Sequence, residues 1–404
     1  MILKIAFRNT LRQKRRSVLT LLTMVGGFVL ASVSIGWSDG TYAYVIKMFT
    51  DDRLGQIEIH SHGYLDRPSL FHTIENYRTV GQTLQAVGGV RSWAPRVFSA
   101  GLACFNDKTT AVQLIGIDPE LEEKATGFSR KIVSGEPWNE AAPRSVFLGK
   151  NAARILDAAP GDSIVLVTQA ADGSLANDVF PLGGIVETGD EASDLTSLFI
   201  RLDEVQRFLA LEGRVHEIAV MVHRLEQVQA ITMALRRALR NSSLEIQPWQ
   251  EFARSFYEAM RADQMGMWIM LFVIILVVAV SVFNTVLMSV LERRREYGLL
   301  KALGTRPLQI IRLVLCEVLL VALGGVAVGI GLCAAINGLL SIRGIPMPTA
   351  VTFGGVRFDR MYTEVTAGSL LIPAVTVILS AILVGVGPAL TAAKTKAAKA
   401  MKTF

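Results

Sequence analysis

Four long apolar stretches stand out along a chain that otherwise alternates apolar and polar residues. They cover residues 18–37, 266–291, 313–340 and 368–390. An α-helix needs about 20 residues to cross a hydrocarbon core about 30 Å thick. Each stretch reaches that length, so the pattern predicts a membrane α-helical fold with four transmembrane helices.

The first apolar stretch has an alternative interpretation as a cleaved signal peptide. It follows a basic segment, residues 1–17, and contains small residues at 31–34. The apolar core of a signal peptide is usually about 7–15 residues long, and this stretch is longer. We therefore favour a helix that stays in the membrane.

The long segment between predicted helices 1 and 2, residues 38–264, has mixed periodicity and many turn signals. Alternating strands and helices near 55–116 and 197–247 predict two β-α-β halves that share a sheet. Short strands between Pro-Gly-Asp and Gly-Gly turns near 117–194 predict a β-rich insertion. The sequence therefore predicts a large α+β extracytoplasmic domain inserted between helices 1 and 2.

Apolar residues continue at helical spacing just beyond helix 1 and just before helix 2. They are Tyr42, Val45, Phe49, Phe252, Phe256 and Met260. If the two stripes face each other, the extended helices form a stiff stalk that carries movement to the domain. If they do not, both are separate interfacial helices.

Composition agrees with a membrane protein, since 51% of residues are hydrophobic, 19% are charged and the mean hydropathy is +0.41. The net charge of +6 could indicate a nucleic-acid partner. However, basic residues concentrate in 1–17, 292–312 and 391–404, whereas 38–264 is acidic. The positive-inside rule places the basic segments and both termini in the cytoplasm and the loop 341–367 outside. An acidic domain repels phosphate, so we expect no nucleic-acid partner.

The domain sequence contains no recognisable catalytic constellation. His60 and His62 share a strand face but have no assigned third ligand, so a polar surface edge is favoured over a metal site. Asp190, Glu191 and Asp194 could bind a cation, but a solvated acidic loop is favoured. The three cysteines stand apart, and no phosphate-binding G-x-x-x-x-G-K-[ST] motif occurs. We expect no metal, no bound cofactor and no enzymatic activity in this chain.

The basic segment after helix 2 predicts a short amphipathic helix over residues 292–303, with leucines opposite arginines. Gly304 would end this helix at its C′ position. Thr305 would cap the following helix, with Pro307 in its first turn.

Predicted helix 3 contains one carboxylate and several small residues. Glu317 could bond to a neighbouring helix and couple its movement, or could lie shallow enough to reach the inner headgroups. Gly324, Gly325 and Gly329 allow close helix packing, either across a dimer interface or within one subunit.

The segment after helix 2 resembles the signature of the FtsX-like permease family of ABC transporters, which includes MacB-type and LolC/LolE-type subunits. The residues that match the signature are Glu292, Arg293, Glu296, Tyr297, Gly298, Leu299, Lys301, Ala302, Leu303, Gly304 and Ile310. The family has a similar order of one span, a large outer domain and three spans. Within the family, residues 116–119 (GIDP) and 149–156 make the sequence resemble the lipoprotein-releasing LolC/LolE type most.

The resemblance implies a permease subunit whose helix at 292–304 docks on a cytoplasmic ABC ATPase dimer, which binds ATP and Mg²⁺. It assigns this coupling role to Glu292, Arg293, Arg295, Glu296, Tyr297, Gly298, Leu300, Lys301 and Gly304. It further implies a multi-pass protein of the bacterial inner membrane, paired with a second copy or a paralogue and surrounded by membrane lipids.

The implied function is lipoprotein release or export of an amphiphilic substrate from the outer leaflet, with a lipoprotein or periplasmic carrier as a further partner. Two alternatives remain open. One is a non-transporting signalling subunit that regulates a cell-envelope hydrolase, and the other is efflux of a drug or peptide from the periplasmic side.

Overall fold

The chain forms two compact units. The computed structural model describes residues 2–12, 14–50, 54–138, 143–240, 243–353 and 356–395. We call Met1–Ala43, Met260–Pro348 and Arg360–Phe404 the helical unit, and Tyr44–Ala259 with Thr349–Asp359 the inter-span domain.

Long α-helices dominate the helical unit. The helices that contribute to it are α1 Ile2–Arg12, α2 Lys14–Phe49, α10 Arg254–Glu292, α11 Arg294–Ala302, α12 Pro307–Arg343 and α13 Ala367–Lys394. Among the described residues, four of them are long and apolar enough to cross a membrane, namely α2, α10, α12 and α13. These helices contain the four predicted stretches but extend past them, because the polar residues that flank each stretch continue the helix.

Buried apolar side chains from these helices form one core cluster. Representative members are Met24 and Phe28 of α2, Val282 of α10, Val318 of α12 and Ala381 of α13. The opposite faces keep large apolar side chains exposed, as at Phe272 and Leu383. A helix with one apolar face in a protein core and a second apolar face uncovered fits a lipid environment.

Strands and short helices build the inter-span domain. Its strands are β1 Ile57–Ser61, β2 Ile74–Glu75, β3 Val90–Phe105, β4 Lys108–Ile117, β5 Ile132–Gly135, β6 Val146–Gly149, β7 Ser163–Gln169, β8 Leu175–Val186, β9 Ser197–Arg201, β10 Arg214–Val215, β11 Glu217–Val222 and β12 Leu244–Pro248. Its helices are α3 Tyr77–Ala86, α4 Pro119–Thr126, α5 Lys150–Leu156, α6 Glu191–Thr196, α7 Leu202–Phe208, α8 Val228–Ala238 and α9 Trp249–Phe252.

One sheet connects ten of these strands. Its order is β12-β1-β11-β3-β4-β9-β6-β8-β5, and β7 pairs with both β3 and β8. The pairings therefore close into a ring of six strands, β3-β4-β9-β6-β8-β7. Fully buried side chains such as Leu114, Phe147 and Ile164 fill the core on this sheet.

The segment predicted as a separate β-rich insertion belongs to this same sheet. In β7, Leu166 and Val167 pair with Ala103 and Leu102 of β3. The prediction of a distinct lobe at 117–194 differs from the structure because strand pairing between distant segments is not visible in a local pattern. The loop predicted at 341–367 also contains a hairpin-like pair of strands, β13 Ile345–Phe353 and β14 Val356–Met361.

Candidate coupling site

The short helix α11 lies between two of the long helices, as the sequence predicts. It ends at Ala302, and Gly304 takes φ +93° at the C′ position. The Thr305 amide donates to the Leu300 carbonyl and the Gly304 amide to the Lys301 carbonyl, both at 3.0 Å. These two bonds form a Schellman motif, which satisfies the last carbonyls of the helix.

The start of α12 differs from the prediction by one residue. Arg306, not Thr305, is the N-cap, and Pro307 occupies the first helical position. The Gln309 side chain accepts a hydrogen bond from the Arg306 amide at 2.9 Å. Thr305 is already used by the Schellman motif of α11, so the cap moves to the next residue.

Arg293 occupies the junction between α10 and α11 with its side chain only 8% exposed. Its Nη1 donates to both carboxylate oxygens of Glu317 in α12, at 2.9 and 3.0 Å. Its Nε donates to Oε2 of Glu296 in α11, at 2.7 Å. Burial alone would lower the pKa of Arg293, but Glu317 raises it above its usual value. Arg293 therefore stays charged and joins α11 to α12.

Glu317 also contacts the N-terminal helix. Asn9 Nδ2 in α1 donates to Glu317 Oε1 at 2.7 Å. Of the two interpretations of Glu317, the structure thus places the carboxylate in bonds to neighbouring helices. We call Asn9, Arg293, Glu296 and Glu317 the latch. Asn9 is not predictable from the sequence, because nothing distinguishes a functional asparagine from an ordinary one in a basic amphipathic segment.

A small cavity of about 60 Å³ adjoins the latch. Tyr297 lines it with its ring fully buried, and the Cζ of Arg293 lies 5.2 Å from the ring centroid. Among the described residues, the Tyr297 hydroxyl has no hydrogen-bond partner. The cavity is polar on several sides, so a water molecule is the natural partner for this hydroxyl.

The opposite face of α11 is exposed and carries both apolar and charged side chains. Leu299 is 57% exposed, and Leu303, the residue after the helix, is 76% exposed. Arg294 and Arg295 of the same helix are also exposed. In contrast, Tyr297, Gly298 and the partly buried Leu300 face the core. The helix thus has one face held by the unit and one face presented outward.

The predicted coupling residues therefore divide between these two faces. Lys301 turns toward α13, where its Nζ donates to the carbonyls of Ala393 and Thr395. Glu292 is the exposed last residue of α10. The helix is consequently attached to α12 through Arg293 and to α13 through Lys301.

Two of the predicted packing glycines lie against α2 of the same chain. A Cβ atom built at Gly329 would lie 2.5 Å from Cδ1 of Phe28, and one at Gly325 would lie 3.1 Å from Cβ of Met24. At Gly324 the nearest atom, Cδ1 of Leu21, is at an ordinary 3.6 Å. Gly325 and Gly329 thus serve close packing within one subunit.

The predicted stalk residues are mostly buried. Phe49 and Phe256 stack with ring centroids 4.2 Å apart. Tyr42 hydrogen-bonds to Asp263, and Val45 and Met260 are buried. Phe252 departs from the prediction, because the chain leaves helical geometry at Ala253 and places Phe252 in α9, before α10 begins.

A second buried arginine lies in the inter-span domain. Arg96 of β3 bonds to both oxygens of Glu122 in α4, at 2.7 and 3.1 Å, and to Oε1 of Glu217 in β11, at 3.1 Å. Burial alone would lower the pKa of Arg96, but Glu122 and Glu217 raise it. This group was missed because its members are far apart in sequence; the available signal is charged residues inside otherwise apolar strands.

His60 is also part of this buried region, so the prediction of a polar surface edge is wrong for it. His60 is 1% exposed, whereas the side chain of His62 is 85% exposed. His60 Nε2 lies 3.0 Å from Oε2 of Glu58. Burial, followed by repulsion from Glu217, raises the pKa of Glu58 to about 7. His60 does not lie on a sheet edge, because β1 is hydrogen-bonded on both sides, to β11 and β12.

The acidic loop also differs from the expectation of a solvated segment. Asp190 and Asp194 are each 4% exposed, whereas Glu191 is exposed as expected. Asp190 caps α6 by accepting from the Ala192 amide at 3.1 Å, and Asp194 accepts from the Thr188 amide at 2.8 Å. Helix capping and a local turn therefore account for these two carboxylates.

Comparison with known proteins identifies both parts of this arrangement. Residues 268–397 match the model of the FtsX-like permease C-terminal family. Residues 17–238, more than half of the chain, match the model of the MacB-like periplasmic core domain. The chain belongs to the FtsX-like, MacB-type permeases of ABC transporters.

Named relatives of this permease include lipoprotein-releasing proteins. It is 22% identical to the lipoprotein-releasing system transmembrane protein LolC of Neisseria meningitidis serogroup B over 78% of this chain and 76% of that protein. It is 22% identical to LolE of Haemophilus influenzae over 82% of each chain. It is 34% identical to the ABC transporter permease YtrF of Bacillus subtilis over 32% of this chain and 30% of that protein.

Proposed function

We propose that this permease couples ATP hydrolysis in a separate cytoplasmic ABC ATPase to movement of the inter-span domain. The observation that carries the proposal is the two-faced geometry of α11. One face presents exposed leucines, and the other is held by a buried salt bridge to α12. A short helix with this arrangement can contact a partner on one face and transmit the partner's movement to a long helix through the other.

The exposed face of α11 is the proposed docking surface. Leu299 and Leu303 would enter an apolar groove of the ATPase, with Arg294 and Arg295 at the rim of the contact. Burying one such leucine contributes about 1.5–3 kcal/mol. Two of them support a specific contact with a modest area.

The latch is the proposed route from the docking surface to the spans. Arg293 joins α11 to Glu317 on α12, and Asn9 joins the same carboxylate to α1. Charge-assisted bonds of this kind, largely shielded from water, are stronger than neutral ones and hold their geometry. Displacement of α11 would therefore be shared by α12 and α1.

The proposed substrate is a lipoprotein or another amphiphile taken from the outer leaflet, and it need not cross the membrane. The similarity to LolC and LolE, which are transmembrane proteins of lipoprotein-releasing systems, supports this choice. Depletion of the permease should then leave outer-directed lipoproteins in the inner membrane, as fractionation would show. Normal lipoprotein sorting after depletion would contradict the substrate and favour efflux or regulation.

We further propose that the chain lies in a bacterial inner membrane, with both termini and α11 on the cytoplasmic side. Two permease chains, either identical or paralogous, would share one ATPase dimer. The basic segments at residues 1–17 and 292–312 support this orientation. Docking of α11 on a cytoplasmic ATPase requires this orientation, so an experiment that tests docking also tests the orientation.

The docking surface is tested by Leu303→Asp. Leu303 is already solvent-exposed, so the variant should fold normally. Loss of one leucine contact and burial of a carboxylate should weaken ATPase retention roughly tenfold to a hundredfold. The measurement is the amount of ABC ATPase that co-purifies with the permease from its native membrane.

Leu175→Asp is the matched control, because Leu175 is equally exposed, at 74%, but belongs to the inter-span domain. It should retain the ATPase at the wild-type level. Equal retention by Leu303→Asp and the wild type would show that α11 is not the docking surface.

A further inference from the structure

The buried cluster in the inter-span domain brings together three side chains that can bind a metal ion. Glu58 and His60 lie two residues apart on β1, so both side chains point to the same face of the sheet. Glu217 lies directly opposite His60 on the antiparallel neighbour β11. The register of one strand pair thus creates the cluster.

The donor atoms lie close together and away from solvent. His60 Nε2 is 3.0 Å from Oε2 of Glu58 and 3.9 Å from Oε2 of Glu217. The three donor atoms all lie within 4.8 Å of one another, and the side chains are 1–7% exposed. Tetrahedral ligands held at about 2.0–2.2 Å from Zn²⁺ are about 3.3 Å apart. The separations of 3.0 and 3.9 Å differ from that spacing by about 0.3 and 0.6 Å, and the third pair, which lies within 4.8 Å, differs by at most about 1.5 Å.

The hydrogen bonds around His60 and Glu217 leave one donor atom of each side chain available for a metal ion. His60 Nδ1 lies 3.2 Å from the carbonyl oxygen of His216, which can only accept a hydrogen bond. Nδ1 therefore donates to that carbonyl and Nε2 faces the carboxylates, where a metal ion would take the place of the Nε2 proton. Arg96 binds Oε1 of Glu217 and leaves Oε2 for the cluster.

Charge balance also favours a bound cation. Arg96 is engaged by Glu122 and Glu217 at distances of 2.7–3.1 Å. Glu58, whose side chain is 5% exposed, has no comparable bond to a permanent cation among the described residues. A buried carboxylate without a compensating charge is costly. A divalent cation between Glu58 and Glu217 would remove that cost.

A cavity of about 410 Å³ reaches the cluster and is lined by Glu58, His60 and Glu217 together with Tyr64. It provides an entry path and space for a water molecule as a fourth ligand. The Tyr64 ring stacks on His60 with centroids 5.0 Å apart, which fixes the orientation of the imidazole.

We propose that Glu58, His60 and Glu217 bind a divalent transition-metal ion of the Zn²⁺ class in the inter-span domain. One imidazole and two carboxylates form a donor set that Zn²⁺ uses, with an open fourth position. The ion joins β1 to β11 and replaces the expectation, drawn from the sequence, that the chain holds no metal. It is independent of ATPase docking.

The test is a calorimetric titration of the full chain, purified in detergent without an affinity tag and treated with a chelator, with Zn²⁺ alone. The wild type should bind one equivalent. Glu58→Gln and Glu217→Gln each preserve side-chain size but remove a charged ligand, and each should weaken binding by more than about tenfold. Circular dichroism before the titration checks that both variants are folded.

His62→Gln is the matched control, since His62 lies two residues from His60 but its side chain is 85% exposed. It should bind Zn²⁺ as the wild type does. Absence of binding to the folded wild type would overturn the proposal and leave a proton as the cation of the cluster. Wild-type binding by both Glu58→Gln and Glu217→Gln would overturn it equally.

Discussion

The permease contains two buried arginines that are bonded to carboxylates in different ways. In the inter-span domain, Arg96 has two partners, Glu122 and Glu217, that are 4% and 7% exposed. In the helical unit, Arg293 has one partner of low exposure, Glu317 at 15%, and one half-exposed partner, Glu296 at 48%. Both partners of Arg96 are buried side chains beside an internal cavity, whereas one partner of Arg293 reaches the surface.

This difference fits a structural role for Arg96 and the transmitting role that we propose for Arg293. Both carboxylate partners of Arg96 belong to buried parts of the inter-span domain, so Arg96 fixes β3 against α4 and β11. Arg293 instead bonds a helix whose other face is exposed, so under the proposed coupling a force applied to α11 would reach α12 through it. The exposed fractions of the two arginine side chains, 6% for Arg96 and 8% for Arg293, would not distinguish them.

Substitution of Arg96 should have the largest effect on stability. Arg96→Met leaves Glu122 and Glu217 buried without their cation, which costs about 3–5 kcal/mol. The free energy of unfolding of the inter-span domain, followed by urea titration of the full chain, should fall by that amount. Arg207→Met is the control, because that side chain is 62% exposed and its partner Glu204 also pairs with Arg144, so about 0–1 kcal/mol is expected.

Substitution of Arg293 should destabilise the permease less. In Arg293→Met, Glu296 can turn to water and only Glu317 loses a shielded partner, while Asn9 still donates to it. We expect a loss of about 1–3 kcal/mol in the unfolding of the helical unit. A loss as large as that of Arg96→Met would mean that the two groups do not differ in the way described.

The sequence predicts the helical unit more completely than the inter-span domain. Long apolar stretches report on a hydrocarbon environment residue by residue, so the four helices that could cross a membrane and the intervening helix α11 can be placed from local pattern alone. The position of Gly304 is predictable for the same reason, since a Schellman motif involves only neighbouring residues.

Long-range pairing is what the sequence does not show. The partnership of Glu58, His60 and Glu217 depends on the register between β1 and β11, which are separated by more than 150 residues. The bond between Asn9 and Glu317 depends on helix packing in the same way. A carboxylate in an apolar helix does signal that a partner exists, but not which residue provides it.

The Arg293–Glu317 pair is tested most directly by a double-mutant cycle on ATP hydrolysis. The permease with its ATPase is reconstituted as the wild type, Arg293→Gln, Glu317→Gln and the double variant, and the rate is normalised to the amount of ATPase bound. Coupling between the two residues of about 1 kcal/mol or more predicts that each single variant loses about fivefold or more of the permease-dependent rate. The double variant should then be no slower than either single variant. Single variants at the wild-type rate, or a double variant equal to the product of the two single effects, would contradict transmission through this pair.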